Sequence, residues 1–354
     1  MKNLFAQTFP FYPRFQILQS SLVTKVWCVM LMRVPFSLLL VLSMLLTGHQ
    51  QQVSAQQQVP QPPPPPPATL DNVTDLQQAD QMIDFIAGIR ASSRHGTWTA
   101  DNPLSNWSGV TYTASVGYTV RWSFKKGTPR LEGGFDAAKF PSLVSSFSAS
   151  SNHVGGHFNF EKFAVPNVLK FLSIYANDFF GSFDMGTLVQ RLPQLAYLHI
   201  GNNSFSGNLD LTKLTPSWTH LHLQYNSFEK GDFSDFSNAP NLIVLTCPHN
   251  FISAQIWADR FPRKLVYLGL YNNSFFGDFR FEDVPTNLTS SLSVSHNKLT
   301  GVSPDFSVLA NSKITAIGIN YNKFNGTLDL TNLPVNITYF TANRNEFTSL
   351  ILPP

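Results

Sequence analysis

Residues 195–209 read LAYLHIGNNSFSGNL, and the fold turns on that stretch. Leu195, Leu198 and Ile200 are followed by Asn203, Phe205, Gly207 and Leu209, a unit of the form LxxLxIxxNxFxGxL. With the Asn set in register, the unit recurs at Asn152, Asn177, Asn203, Asn226, Asn250, Asn273, Asn297, Asn322 and Asn345. Successive gaps are 25, 26, 23, 24, 23, 24, 25 and 23 residues. A fixed period of this length marks a solenoid of stacked units.

The chemistry of the unit accounts for its letters. Each unit is a short strand, a turn and a return segment, and alone it cannot bury its apolar side. In the strand, alternation sends one set of side chains inward and the other to solvent. The inward set is Leu172/Ile174, Leu198/Ile200, Leu221/Leu223, Leu268/Leu270 and Ile317/Ile319. The Asn carries both donors and an acceptor, so it can satisfy backbone groups where the chain leaves the strand. Phe179, Phe205, Phe228, Phe275, Phe324 and Phe347 fall two residues later and are expected to stack as a spine. Gly181, Gly207, Gly277, Gly301 and Gly326 give freedom at the bend. Two units depart from the pattern. One carries an extra residue before Gly231, and the other has Ile252 and Ala254 in place of Phe and Gly, so a local kink is expected there. The period lies in the leucine-rich repeat window. The expected fold is an α/β-type solenoid, a leucine-rich repeat horseshoe. It has a concave parallel sheet, irregular or 3₁₀ return segments and an N-terminal helical cap.

The 354 residues divide into an N-terminal extension (1–55), a linker (56–73), a cap (74–117) and the repeats (118–354), one degenerate and nine Asn-centred. Only 13% of residues are charged and the net charge is +3, which leaves no nucleic-acid footprint. The two cysteines make no disulfide framework; Cys28 lies in an apolar run and Cys247 replaces a core Leu. Residues 34–46, VPFSLLLVLSMLL, follow Arg33, and Val53-Ser54-Ala55 has the form of a cleavage site. Counted from Met32 this is a secretory signal. Counted from Met1, the apolar stretch 26–46 suits a signal anchor. Lys2, Arg14, Lys25 and Arg33 precede or interrupt it, and no Lys or Arg follows until Arg90. That asymmetry puts the remainder outside the membrane. The chain is therefore expected to be exported, secreted if cleaved near Ala55 or a single-pass type II surface protein if not. Pro62 to Pro67 form a polyproline spacer.

From Thr74, a plausible N-cap, Leu76, Met82, Ile83, Ile86 and Ile89 recur at helical spacing, with Asp75 in the first turn. Then comes Trp107-Ser108-Gly109-Val110-Thr111, a WxGVT motif. A helix, a loop and this motif resemble the N-terminal cap of plant-type leucine-rich repeat proteins. In that family cysteines flank the Trp and follow the Val-Thr. Here Ser105 and Tyr112 are among the residues in those places, so the cap disulfide is absent. The stretch Tyr118 to Phe124 reads as a degenerate first repeat. The resemblance runs over residues 75–354 and is shared by plant receptor ectodomains, inhibitor-like extracellular proteins and kinetoplastid leucine-rich surface antigens. The Phe-rich repeats, cysteine-poor cap and Pro-rich collar are most similar in style to the last group.

No GxSxG, HExxH, kinase signature, P-loop or CxxC pair is present, so an enzyme and a cofactor are not expected. Asn72, Asn106, Asn202, Asn272, Asn287, Asn325 and Asn336 open N-x-S/T glycosylation sequons. Function in a solenoid lives on the surface that stacking builds. Positions six, four and two before each Asn should line the concave sheet. There Phe171, Tyr175, Tyr197, His199, His220, His222, Tyr267 and Tyr271 give an uncharged aromatic and histidine patch. Such rings with polar tips are favoured at recognition surfaces, although aromatics also fill strands without a partner. His199, His220 and His222 lie close enough for three imidazoles to meet a zinc, but a hydrogen-bonded cluster is the commoner outcome and no metal site is assigned. The expected function is recognition of a protein or glycan through the concave face. The alternative is a structural or antigenic glycoprotein coat without a specific ligand. The last repeat, with Ile337, Phe340, Phe347 and Leu350 at its inner edge, is expected to fray or to self-associate.

Overall fold

The computed structural model describes residues 72–90, 96–125, 130–163 and 168–353. The apolar segment 26–46, the proline run, Cys28 and the side chain of Asn72 lie outside the described residues. The fold is a leucine-rich repeat solenoid. One continuous sheet of 11 strands lines its concave side. It opens with an antiparallel pair, Val110–Thr113 against Gly117–Arg121, and every later pairing is parallel. The three-residue strand Tyr197–His199 passes through the quoted stretch, between Phe171–Ser173 and His220–His222. In-register pairing places Leu172, Leu198, Leu221, Leu245, Leu268, Leu292 and Ile317 in one column, all fully buried.

The repeat Asn does what its chemistry allows. The Asn203 amide donates to the carbonyls of Ile174, Ile200 and Gly201 at 2.9, 3.1 and 3.2 Å. Its oxygen accepts the Phe179 N–H of the preceding unit at 3.1 Å. The same pattern runs from Asn177 to Asn322, so neighbouring units are tied by side chains where the strand ladder ends. At Gly207, with φ at +114°, a Cβ would lie 2.4 Å from the Phe183 carbonyl oxygen, so the bend excludes a side chain.

The expected Phe spine takes a different form. Phe179, Phe205, Phe228, Phe275 and Phe324 are buried, whereas Phe347 is half-buried. No ring contact joins successive members among the described residues. Four of the rings instead meet a Phe from a return segment two units earlier: Phe160–Phe205 at 5.8 Å, Phe183–Phe228 at 5.6 Å, Phe233–Phe275 at 4.9 Å and Phe281–Phe324 at 5.5 Å. Return-segment phenylalanines fill the space between the spine positions, two of them edge-on and two tilted, and edge-on contacts suit the ring quadrupoles.

The segments after each Asn are more regular than expected. They build two further parallel sheets, one of 5 strands from Glu132–Gly133 to Ser227–Asp232 and one of 4 strands from Phe276–Asp278 to Glu346–Ile351. The gap falls where the pattern breaks. A bulge lies between Phe228 and Lys230, and the Asn250 unit contributes only the isolated bridges Lys230–Ser253 and Gln255–Phe276. The anticipated kink is thus an interruption of this outer layer, while the concave sheet runs through. Among the described residues, seven 3₁₀ turns and one short helix, Met185–Arg191, complete the return segments and cap contacts.

The cap helix spans Asn72–Phe85, so Thr74 lies inside it and is not its N-cap, while Ile86 and Ile89 lie beyond its end. Ile89 bridges Gly133 instead. Asp75 is only 3% exposed. Its carboxylate accepts the Ser105 N–H at 3.0 Å, the Ser105 hydroxyl and the Tyr118 hydroxyl at 2.7 Å. Burial and the Asp75 carboxylate push the Tyr118 phenol well above its usual range. This hub joins the helix, the 3₁₀ turn and the first parallel strand in a cap without a disulfide. Beside it Trp98, Trp107 and Trp122 cluster, with centroids of 98 and 122 at 4.1 Å.

Candidate functional site

The concave patch is assembled by register alone. Pairing puts Phe171, Tyr197 and His220 in one row, and Ser173, His199 and His222 in the next. Phe171 stacks on Tyr197 at 4.3 Å and Tyr175 on His199 at 4.5 Å. Tyr197 meets His220 at 5.2 Å and His222 at 5.3 Å, and His199 meets His222 at 4.8 Å. Six of the eight expected residues therefore form one continuous cluster. Tyr267 and Tyr271 stand two strands away and make no ring contact with that cluster among the described residues: Tyr271 meets His249 edge-on at 5.2 Å, and His249 stacks on Tyr225 at 4.2 Å. All eight are half-buried. Several positions read as solvent-facing are buried instead: Ser173, Thr246 and Ser295 at 6%, 7% and 6% exposure, and with them Gly201, Pro248 and Gly269.

Gly201 explains how Gln224 joins the cluster. A Cβ at Gly201 would lie 2.7 Å from the Gln224 Cδ, so the glutamine side chain lies across the glycine. From there its amide nitrogen sits 3.0 Å from His199 Nε2. Its Oε1 is buried with no partner. Burial pulls His199 down to about 4, and burial with the neighbouring imidazoles pulls His222 down to about 3. His220 is lowered by burial as well, and the Tyr175, Tyr197 and Tyr267 phenols are raised by it. Tyr271 rises to about 12, through burial first and then neighbouring phenols. The patch is uncharged at neutral pH for a physical reason: each charged form would lose solvation. Among the described residues no group of three or more His, Cys, Asp or Glu is placed to hold a metal ion. Cys247 is fully buried, and burial pushes its thiol up, so it is a core residue.

The residue directly before the repeat Asn, one beyond the outermost position expected to face solvent, is also displayed. From Ser151 to Arg344 that residue has φ between 52 and 60°. In the middle of the series it is Tyr225, His249, Asn272, His296 and Tyr321. His296 stacks on Tyr321 at 4.0 Å, and Arg344 approaches the same ring at 5.9 Å. The signal that reveals this column is the turn itself, which needs a left-handed residue at a fixed offset from every Asn.

No protein-family model matches the chain. Receptor like protein 23 of Arabidopsis thaliana is 28% identical over 166 residues, which is 46% of this chain and 18% of that protein. The chain thus matches under a fifth of this relative's length, and over that stretch it is homologous to a plant leucine-rich repeat receptor-like protein. Among solved structures, a plant ice-binding protein superposes with a TM-score of 0.54 at 17% identity, covering 76% of this chain and 86% of that one. The leucine-rich repeat ectodomain of the Arabidopsis receptor kinase HAESA, solved with a peptide hormone, gives a TM-score of 0.46 at 18% identity, covering 78% and 58%. Among the described residues no helix is long and apolar enough to cross a membrane.

Proposed function

We propose that this chain is a non-enzymatic recognition protein, secreted or held at a cell surface, that captures a protein or glycan partner on its concave face. One observation carries the reading: six rings from three neighbouring strands touch one another in an uncharged, half-exposed patch. Clustered aromatics with polar tips are what binding hot spots are made of. A receptor-like relative over 166 residues supports the same class. The stretch 26–46 supplies the export signal or anchor in this reading.

The test is capture from the protein's native cell surface by the wild type and by Tyr197→Ala, His222→Ala and Tyr267→Ala. Each variant should lose about tenfold or more in affinity, as hot-spot truncations do, while circular dichroism stays unchanged. Equal capture by all three sinks the concave site and leaves the coat reading in its place.

A further inference from the structure

The column directly before the repeat Asn has an internal order. Its backbone N–H groups continue the ladder, with Asn202 to Gln224 at 2.8 Å, His249 to Tyr271 at 3.1 Å and Asn272 to Ser295 at 3.0 Å. Successive rungs are therefore about one interstrand spacing apart, about 4.8 Å. Read along the solenoid, the rungs are Asn202, Tyr225, His249, Asn272, His296 and Tyr321. An asparagine is followed by a stacked pair of rings, and then the same triplet repeats. Both pairs are nearly flat, Tyr225 on His249 at 9° and His296 on Tyr321 at 16°. In each triplet the asparagine opens a sequon, Asn202-Asn203-Ser204 and Asn272-Asn273-Ser274.

Local chemistry separates these two sequons from others. Asn202 is exposed, and its amide makes no side-chain hydrogen bond among the described residues. The Asn272 amide nitrogen sits 3.1 and 3.3 Å from the two ring nitrogens of His249 and donates to no carbonyl among the described residues. By contrast, Asn287 and Asn336 donate to the carbonyls of Arg263 and Ser312 in the preceding unit, at 2.8 and 3.2 Å. The rings are placed at a cost. A left-handed turn favours Gly, Asn or Asp, and a bulky ring there is strained. Stacking within each pair covers one face of Tyr225 and of His296. The first ring of each pair stands between its stacking partner and the sequon rung, and Tyr225 and Tyr321 remain 42% and 43% exposed.

We propose that Asn202 and Asn272 carry N-linked glycans and that the rings beside them, Tyr225 for Asn202 and His249 with His296 for Asn272, seat the first sugars. This rests on the exported reading above. In the modification, the asparagine Nδ2 bonds to C1 of a sugar supplied by a lipid-pyrophosphate-linked oligosaccharide. The C1–oxygen bond of that donor breaks, the lipid pyrophosphate leaves, and one amide proton is lost. The second amide proton stays on Nδ2, so the Asn272 contact to His249 can persist. An N-acetylhexosamine has an apolar C–H face that packs on a flat ring, while its hydroxyls stay in water. Burial lowers His249 and His296, so the imidazoles meet the sugar uncharged. The column lies one residue beyond the outermost concave position, so the sugars stand at the margin of the aromatic patch.

The test uses the full chain expressed in eukaryotic secretory cells. Glycopeptide mass spectrometry reads occupancy at each sequon. The rate of glycan release by an amidase is compared between folded and denatured protein. Asn202 and Asn272 should be occupied in most molecules, and folding should slow release at both several-fold. Tyr225→Ser should restore fast release at Asn202 only, and His296→Ser at Asn272 only. Bare Asn202 and Asn272 in a protein modified elsewhere would overturn the proposal and leave export standing. Occupied sites whose release ignores the ring variants would overturn the sugar seats. A chain retained in the cytosol and bare throughout would overturn this proposal and the extracellular reading together.

Discussion

Asn203→Ala removes four hydrogen bonds with one substitution. The lost partners are the carbonyls of Ile174, Ile200 and Gly201 and the N–H of Phe179. Of these, the Phe179 N–H of the preceding unit is the group left without a partner, because Ile174 O still accepts the Asn177 amide at 3.1 Å, Ile200 O the Asn226 amide at 3.0 Å and Gly201 O the Ala176 N–H at 3.0 Å. Leaving one buried backbone group unpaired predicts a loss of about 1–3 kcal/mol. Asn203→Asp separates the two halves of the role. It keeps the acceptor for Phe179 but turns lone pairs toward three carbonyls, so at pH 7 it should destabilise at least as much as Ala. As pH falls through the raised pKa of that carboxyl, the protonated form regains one donor and part of the loss should return. Urea unfolding followed by circular dichroism reads the stability. Because solenoid units unfold by neighbour, amide exchange at Phe179 reads the local effect. A loss under about 1 kcal/mol, with Phe179 protected as in the wild type, would refute the side-chain ladder.

Phe205→Ala, which empties a fully buried site against Phe160, should cost about 3–5 kcal/mol in the same assay; near-wild-type melting would show a misplaced register. Tyr118→Phe should cost about 1.5–3 kcal/mol, the range for a hydrogen bond to a charged group. In combination with Asp75→Asn it should cost less than the sum of the two, and strict additivity would remove the cap hub. The histidines predict an acid-sensitive core of the patch. Their folded values, about 4 for His199 and about 3 for His222, lie below the ordinary 6.5, so the unfolded chain takes up protons first as pH falls. Stability should be level above pH 6.5, drop as pH falls toward 4 and 3, and level again below; His199 contributes a loss on the order of 3 kcal/mol. His199→Gln and His222→Gln should flatten that slope in urea midpoints taken between pH 7 and 4, and an unchanged slope would mean the imidazoles are solvated.

The period of the Asn was enough to place nine of the eleven concave strands, all but Val110–Thr113 and Gly117–Arg121, because an LxL segment buries its two outer residues and no other register does so. The eight patch residues were legible for the same reason: outward positions in a parallel, in-register sheet must become rows. Three features were not. The outer sheets arise from segments such as Ser204–Asp210 that alternate weakly and carry Gly at their centre, so they read as irregular. The Phe rings were assigned to one column because the return-segment set, Phe160, Phe183, Phe233 and Phe281, drifts in offset from the Asn. The cap shows in sequence as missing cysteines, but nothing local links Asp75 to Ser105 and Tyr118, which are 30 and 43 residues away. Position Ser105 still crosslinks the cap, now through a carboxylate.

Hydroxyl-radical footprinting of the full chain, with and without its native cell surface, asks most directly whether the concave patch is the recognition face. Tyr197, Tyr267 and His222 report from the patch, Tyr321 from the left-handed column, and Phe276 and Phe180 from the outer sheets. Recognition through the concave face predicts strong protection of Tyr197, His222 and Tyr267, with Phe180 and Phe276 oxidised as in the free protein. Protection confined to Phe180 and Phe276, or none at any of these rings while the protein is bound, would contradict it.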